Sequence, residues 1–540
     1  MQRTNSGLLS SSYVPNDVER AQLEDRLKED EGRLVAPKEN MKIATVQLEL
    51  DQLREEQVIL EANIGSCSSA LSTHRRLPVE LWGIIFGHVC SEKWGGYRYS
   101  LIINHFLDKT LFTPPLILSQ VCARWRNMVT SIPQLWSSIH LDLTAPFDVH
   151  LPIYTYLTNS KNCPLRISIA LYFSAPSEQG AVAWSTLSSQ LYRCIHLSVY
   201  SWCGLPAIQD LAFPMLEYVS LDHQFATHHD DDGYSWLSQA LQRAPKLTKV
   251  FASTPCSAIP YPQLTSLEVR SLDPLVSGLE KLLHFLSTCQ RLESLIIHDI
   301  SVHGHGDLGT HTSDVKLPLL GKLALLEDSE RDPNPAVHAF LASLTMPSLV
   351  DLRLRDYKWP DSRLLSIIAQ RSPRIERLAL NGCGAPEEIL KPSKNDSSAP
   401  LISFLRRLSY LRALNLIITK HANYEDYPDD DPTTHAATAL SILLSELHVS
   451  TSKPSDDLFL PRLEFIYLKF PDITLNSEAG RALAVAASRA LVSPLKDFTL
   501  WRPRGEEEEA SESFQPEIDL LVGMNELAMK GMHIIIGELR

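Results

Sequence analysis

One short pattern returns along the C-terminal three quarters of the chain, and it limits the possible folds more than any other feature. From about residue 190 onward, a leucine or isoleucine is followed at +3 and +5 by further apolar residues, often with Pro two positions before. The copies read PMLEYVSL, PQLTSLEV, QRLESLII, PLLGKLAL, PSLVDLRL, PRIERLAL, SYLRALNL and PRLEFIYL. Their first apolar positions are Leu216, Leu264, Leu292, Leu320, Leu349, Ile375, Leu411 and Leu463, with a further copy at Leu495 (PLKDFTL) and weaker copies at Leu247 and Cys194. Each copy reads as a short parallel strand whose alternate residues enter a core. The intervening segments, such as residues 236–241 and 364–368, read as helices covering the other side. Neither half can bury its apolar face alone, so the copies must stack.

Several consecutive copies lie 26 to 29 residues apart, with longer jumps of 31, 36 and 52 that read as inserted loops. That period is of leucine-rich-repeat length. The expected fold class is therefore α/β, with an irregular leucine-rich-repeat-like solenoid over residues 141–540. The alternative is a pair of α/β domains in which the same motifs are ordinary parallel strands. In an array, the outward strand positions would line the concave surface. They are Ser220, Asp222, Glu268, Arg270, Ile296, His298, Arg353, Arg355, Ala379, Asn381, Asn415, Tyr467, Lys469, Thr499 and Trp501. Their mixture of charge, amide and aromatic groups suits a protein ligand. Arg270, His298, Arg353, Arg355, Asn381, Tyr467, Lys469 and Trp501 are the candidate substrate-binding residues; a plain solvated face is the competing reading for any one of them.

At 540 residues and 44% hydrophobic, the chain is long enough for two or more structural units and apolar enough for a sizeable core. Its formal net charge of -14 leaves no basic stripe to neutralise phosphates, so nucleic acid is not an expected partner. Nine cysteines, spread singly and without a CxxC pair, read as reduced thiols of the cytoplasm or nucleus. No stretch approaches the roughly 18 uninterrupted apolar residues of a membrane span, and the N-terminus lacks a long apolar signal region.

Residues 1–16 are Ser/Asn-rich and read as a disordered tail; residues 17–65 read as helical. Pro37 is expected to interrupt a first helix carrying Leu23, Leu27 and Leu34. Beyond it Ile43, Val46, Leu50, Leu53, Gln57, Leu60 and Ile64 are spaced alternately 3 and 4 apart, which is a heptad seam. It fits either self-association as a coiled coil or packing within the chain. Residues 65–72 read as a small, Ser-rich linker.

Next come Leu77, Pro78 and a helix over residues 79–89 with Leu81, Ile84, Ile85 and Val89 on one side. A second helix is expected over 116–129 with Ile117, Val121, Trp125 and Met128, and Pro133 begins a short turn carrying Leu135 and Trp136. Three short helices make a poor core on their own, so such a module should bury apolar surface against something else. The runs LPVELWGIIFGHVC and PPLILSQVCARWRNMVTSIPQLWSSIHLDL resemble the F-box of fungal, basidiomycete-type F-box proteins over residues 74–140: Leu-Pro, an acidic residue, Ile-Phe, Val-Cys-x-x-Trp and Pro-x-Leu-Trp. The resemblance implies a three-helix module that binds a Skp-type adaptor, which bridges to a cullin-RING ubiquitin ligase. It further implies that Leu77, Pro78, Leu81, Ile85, Val121 and Trp125 face that adaptor. Residues 91–115 depart from the pattern as an insertion, and either obstruct or extend the adaptor surface.

Chemistry-bearing clusters are few. His228, His229 and Asp230 to Asp232, and likewise His303, His305, Asp307 and His311, lack the spacing of a second ligand pair and read as solvated loops. Cys122 reads as a small apolar packing residue, and Glu506 to Glu509 as a charged loop. G-x-S-x-G, P-loop and dinucleotide-binding fingerprints are missing from the sequence. The expectation is a non-enzymatic chain without cofactor or metal: the substrate-recognition subunit of an SCF-type ubiquitin ligase. The competing expectation is a non-ligase interaction scaffold that self-associates through the N-terminal coiled coil.

Overall fold

The fold is given by a computed structural model, which describes residues 16–71, 77–94, 97–104, 110–171, 176–201, 208, 211–222, 235–272, 276–299, 314–326, 335–355, 362–383, 399–419, 432–449, 458–470, 475–490, 495–503 and 518–539. By compactness the chain divides into Met1–Ile84 and Ile85–Arg540.

In the first unit, α1 (Asp17–Leu71) is one 55-residue helix with Pro37 inside it. The break expected at Pro37 and the linker expected at 65–72 are thus both corrected. A proline costs a helix about 3 kcal/mol. The long runs of Leu, Glu, Gln, Arg and Ala on both sides, which favour helix at every position, offset that local cost. The start is fixed by a reciprocal cap: Asn16 Oδ1 accepts from the Glu19 N–H at 2.9 Å, and Glu19 Oε2 accepts from the Asn16 N–H at 3.1 Å. Arg20–Glu24 and Arg33–Glu29 pairs add i,i+4 support. Helix α2 (Val79–Val89) has the bounds expected of it and begins in this unit.

The second unit opens with segments read in sequence as an insertion. Strands β1 (Glu92–Trp94) and β2 (Tyr97–Tyr99) form an antiparallel hairpin. Strands β3 (Leu101–Asn104) and β4 (Thr110–Phe112) pair antiparallel, and β3 also pairs parallel with β5 (Ser138–Asp142). Between β4 and β5 lie α3 (Pro114–Val121), α4 (Ala123–Ser131) and a 3-10 turn, Pro133–Trp136. The single helix expected over 116–129 is therefore two. Cys122 breaks it in an extended conformation (φ -160, ψ 167), where its Sγ accepts from the Trp125 N–H at 3.4 Å and caps α4. Cys122 is exposed, so its role is that of a cap and not of apolar packing.

From β3 onward, sixteen strands among the described residues form one sheet, ordered along the chain except for β4, which sits at the edge. All neighbours beyond the β3–β4 pair are parallel, and helices alternate with most of the strands. One continuous sheet, instead of two, is what the recurring motif builds. Its register stacks like with like. Leu101, Ile139, Ile167, Leu197, Val219, Val250, Leu267, Leu295, Leu323, Leu352, Leu378, Leu414, Ile466 and Phe498 form one buried row across adjacent strands. Each such side chain contributes about 1.5–3 kcal/mol on burial, but only when the neighbouring strand is in place.

Buried arginines tie neighbouring helix and strand segments together. Arg193 donates to the Cys163 carbonyl at 2.8 Å and to Ser160 Oγ at 3.0 Å. Arg489 donates to the carbonyls of Leu447 (2.7 Å), Leu460 (3.0 Å) and Phe459. Leu460 itself is buried in the left-handed region at φ 53, a conformation that costs a non-glycine residue about 1–2 kcal/mol.

Candidate functional site

Two surfaces carry the residues singled out in the sequence. The first is built by the short helices. Along α2, Trp82, Phe86 and Cys90 are buried at i, i+4 and i+8, while Leu81 (45% exposed), Ile84 (60%), Ile85 (41%) and Val89 (53%) face outward. Leu77 is half-buried and Pro78 exposed, just ahead of the helix. A helix apolar on two sides has one side left to cover.

On α3, Ile117 and Val121, one turn apart, are 60% and 58% exposed. Trp125 is half-buried, its ring edge-on to Phe86 with centroids 5.2 Å apart, so it joins α4 to the C-terminal half of α2 and only part of it remains open. Trp136, by contrast, is sealed: its indole N–H donates to the Val129 carbonyl at 2.9 Å and its ring meets Tyr156 edge-on at 5.0 Å. Of the six residues expected to face an adaptor, Leu77, Pro78 and Leu81 fall in the first unit and Ile85, Val121 and Trp125 in the second. Burial alone holds the Cys90 thiol up at about 12.

The second surface is the face of the sheet opposite the leucine rows. The register sets Ser220, Phe251, Glu268, Ile296, Ala324, Arg353, Ala379, Asn415, Tyr467 and Thr499 in one row across ten strands. Arg355, Asn381, Ile417, Lys469 and Trp501 form the next. The in-or-out assignment of these strand positions thus holds. Three of the residues expected at the surface are nevertheless buried: Ser220, Asp222 and Thr499, at 3%, 5% and 6% exposure. Their side chains are short and reach no further than the neighbouring strands; Thr499 Oγ1 donates to Asp497, and Asp222 accepts from Ser253.

Much of the charge on this face is internally paired. Arg270 donates to both oxygens of Asp222 at 2.9 Å, and His298 Nε2 lies 2.7 Å from Glu268. Asp351, nearly buried, holds Arg353 in a two-pronged contact (3.1 and 3.0 Å) and Arg377 at 3.2 Å. At the start of the later strands Glu464 sits between Lys496 (2.7 Å) and Arg412, which hold its carboxyl below the ordinary range.

What stands out is a pair of amides. The buried side-chain oxygens Asn381 Oδ1 and Asn415 Oδ1, on adjacent strands and diagonal to one another, have no hydrogen-bond partner. Arg353 and Arg355 flank them on one side, Tyr467 and Lys469 on the other. Burial raises the Tyr467 phenol, keeping it a neutral donor. Both amide oxygens are closed to solvent, so the pair is a cost borne inside the sheet.

Among the described residues, no three His, Cys, Asp or Glu side chains converge as a metal site, and no helix is long and apolar enough to cross a membrane. The clusters at 228–232 and 303–311, and Glu506 to Glu509, lie outside the described residues. Neither models of known protein families nor curated proteins give a match to this sequence.

Proposed function

We propose that this chain is the substrate-recognition subunit of an SCF-type cullin-RING ubiquitin ligase, in which the short helices act as an F-box for a Skp-type adaptor and a leucine-rich-repeat-like array receives a protein substrate. The observation that carries the reading is the outward apolar side of α2 and α3. Ile85 on α2 and Ile117 and Val121 on α3 are each about half exposed, while Phe86 of α2 and Cys90 just after it are already buried. Covering them would contribute on the order of 1 kcal/mol apiece, which favours a stable partner over bare solvent. The partly exposed Arg353, Tyr467 and Lys469, on strands of one sheet, support a protein ligand for the sheet face. The protein contributes position, and the chemistry of ubiquitin transfer belongs to the other subunits.

The test is capture of the full chain by a purified Skp-type adaptor, compared with the double variant Ile85→Glu, Val121→Glu. Both side chains point to solvent, so the variant should fold as the parent does, within about 0.5 kcal/mol, and lose capture at least a hundredfold. Undiminished capture by the folded variant refutes the docking surface. Absence of capture by the parent refutes the ligase reading and leaves a scaffold.

A further inference from the structure

Helix α1 carries an apolar stripe that nothing described in the structure covers. At the seam positions Val46, Leu50, Leu53, Leu60 and Ile64 are 59%, 43%, 64%, 58% and 64% exposed. Because the helix runs on to Leu71, the alternating 3 and 4 spacing also runs on, from Ile64 to Cys67 and Leu71. The seam therefore spans residues 43–71, four heptads and about 42 Å at 1.5 Å per residue. Isolated helices draw little stability from their own hydrogen bonds, and a seam of this length is what two-stranded coiled coils bury.

We propose that α1 pairs with α1 of a second copy of this chain, in parallel and in register over residues 43–71, so that the protein is a dimer. Two features bear on the second copy and its direction. The first is Gln57, the one polar residue among the seam positions 43–64. With Ile43 taken as an a position, Gln57 is also an a position, while Val46, Leu53, Leu60 and Cys67 are d positions.

In a parallel, in-register pair, a faces a, so Gln57 meets Gln57 of the second copy and amide finds amide. In any antiparallel pairing a faces d, and the amide would lie against valine, leucine or cysteine. Its present contact, Nε2 to Glu61 Oε1 at 2.8 Å, leaves the amide oxygen available for that layer. The second feature is charge. In the parallel arrangement the g residue Glu49 reaches the e residue Arg54 of the second copy, twice per dimer. The antiparallel register centred on residue 55 sets Arg54 against Arg54 and Glu56 against Glu56, while the one centred between 58 and 59 sets Arg54 against Glu61. Charge therefore disfavours only the first, and the Gln57 layer carries the choice of direction. The parallel pair does bring Glu56 towards Glu61 of the second copy, so the seam has one attractive and one repulsive rung, with Gln57 between them.

Cys67 reports the geometry. It is exposed and unpaired, and as a d residue it meets its own counterpart only in the parallel register, where opposing residues lie within the span a disulfide accepts. The full chain should run at twice its chain mass by light scattering. Mild oxidation with copper–phenanthroline should then convert most of it to a covalent dimer, with Cys67→Ser abolishing the link. Leu53→Asp with Leu60→Asp should halve the mass, leaving hydrogen exchange of the sheet unchanged. A monomeric parent overturns the proposal, as does a dimer that survives Leu53→Asp with Leu60→Asp. A dimer that loses its mass with the aspartates yet forms no Cys67 link overturns the parallel register. Adaptor capture does not enter any of these readouts, so the dimer stands or falls separately from the ligase reading.

Discussion

Replacing Arg489 by methionine tests the idea that buried arginines, and not only leucines, hold neighbouring segments of the sheet and its helices together. The side chain is fully buried and donates to three backbone carbonyls in the segments before its helix, those of Leu447, Phe459 and Leu460. Hydrogen bonds from a charged donor contribute about 1.5–3 kcal/mol each, or roughly 5–9 together. Burial opposes them: it lowers the guanidinium from 12.5 to about 10, and a shift of that size corresponds to about 3 kcal/mol. The net loss expected for Arg489→Met is therefore about 2–6 kcal/mol. It should be local, because proteins open in contiguous cooperative segments before they unfold as a whole. Hydrogen exchange read by mass spectrometry over residues 440–470 and 475–490 is the fitting assay, with the strands near residue 140 as internal control. Arg489→Lys keeps the charge but offers a single nitrogen to three carbonyls, and should recover less than half of the loss. Leu460→Gly relieves about 1–2 kcal/mol of left-handed strain but empties a buried leucine site at about 2–5 kcal/mol, so in the methionine background it should destabilise further. Unchanged protection in Arg489→Met would refute the clamp.

Three further outcomes follow from other parts of the sheet. His140 and His196 are buried, and desolvation lowers both from 6.5 to about 4. The unfolded chain binds the extra protons between those values, so stability is complete above pH 6.5 and falls as pH drops toward 4, by up to about 3 kcal/mol per histidine. Hydrogen exchange of the strands at 138–142 and 194–201 should accelerate over that window, and His140→Gln with His196→Gln should flatten the response. Gly180→Ala should destabilise the helix Glu178–Ser188 by 3 kcal/mol or more, roughly at the upper end for overpacking. A Cβ there would lie 2.0 Å from the Leu143 carbonyl oxygen, which belongs to backbone and cannot swing away; an unshifted thermal midpoint would count against the close approach. Asp351→Asn should cost about 1–3 kcal/mol, since Arg353 and Arg377 can each turn to water at 50% and 56% exposure while the nearly buried site loses its charge. Denaturant titration followed by exchange at 351–355 checks it.

The parts of this fold legible in sequence were those written in local spacing. The motif PSLVDLRL announces which of its residues enter the core, because strand side chains alternate strictly, and Leu352 and Leu354 are buried as that alternation requires. Helix α2 was equally readable from Leu81, Ile84, Ile85 and Val89. Residues 101–104, LIIN, were not: a four-residue apolar run gives no hint that its partner is Ser138–Asp142. Ser100 and Ser138 set that pairing through Oγ and backbone contacts near 3.0 Å across 38 residues. The cap at Asn16 and Glu19 was visible as N-x-x-E but easily lost in a charged run. The unfilled amides of Asn381 and Asn415 could not be read at all, since an orphan acceptor is defined by neighbours drawn from other strands.

The placement of α3 and α4 has a mechanical consequence. They are not appended to the sheet by a tether; they are the connection between β3 and β5, two strands that lie side by side. A body seated on Val121 would be gripped as by a bracket, and its torque would pass directly into the first edge of the sheet. From β5 the strands then step away one at a time, about 4.8 Å each, through thirteen further neighbours, for a contour on the order of 60 Å. On the proposed reading, position along that series would act as a graduated ruler, the strands holding a ligand setting its distance from α3 and α4.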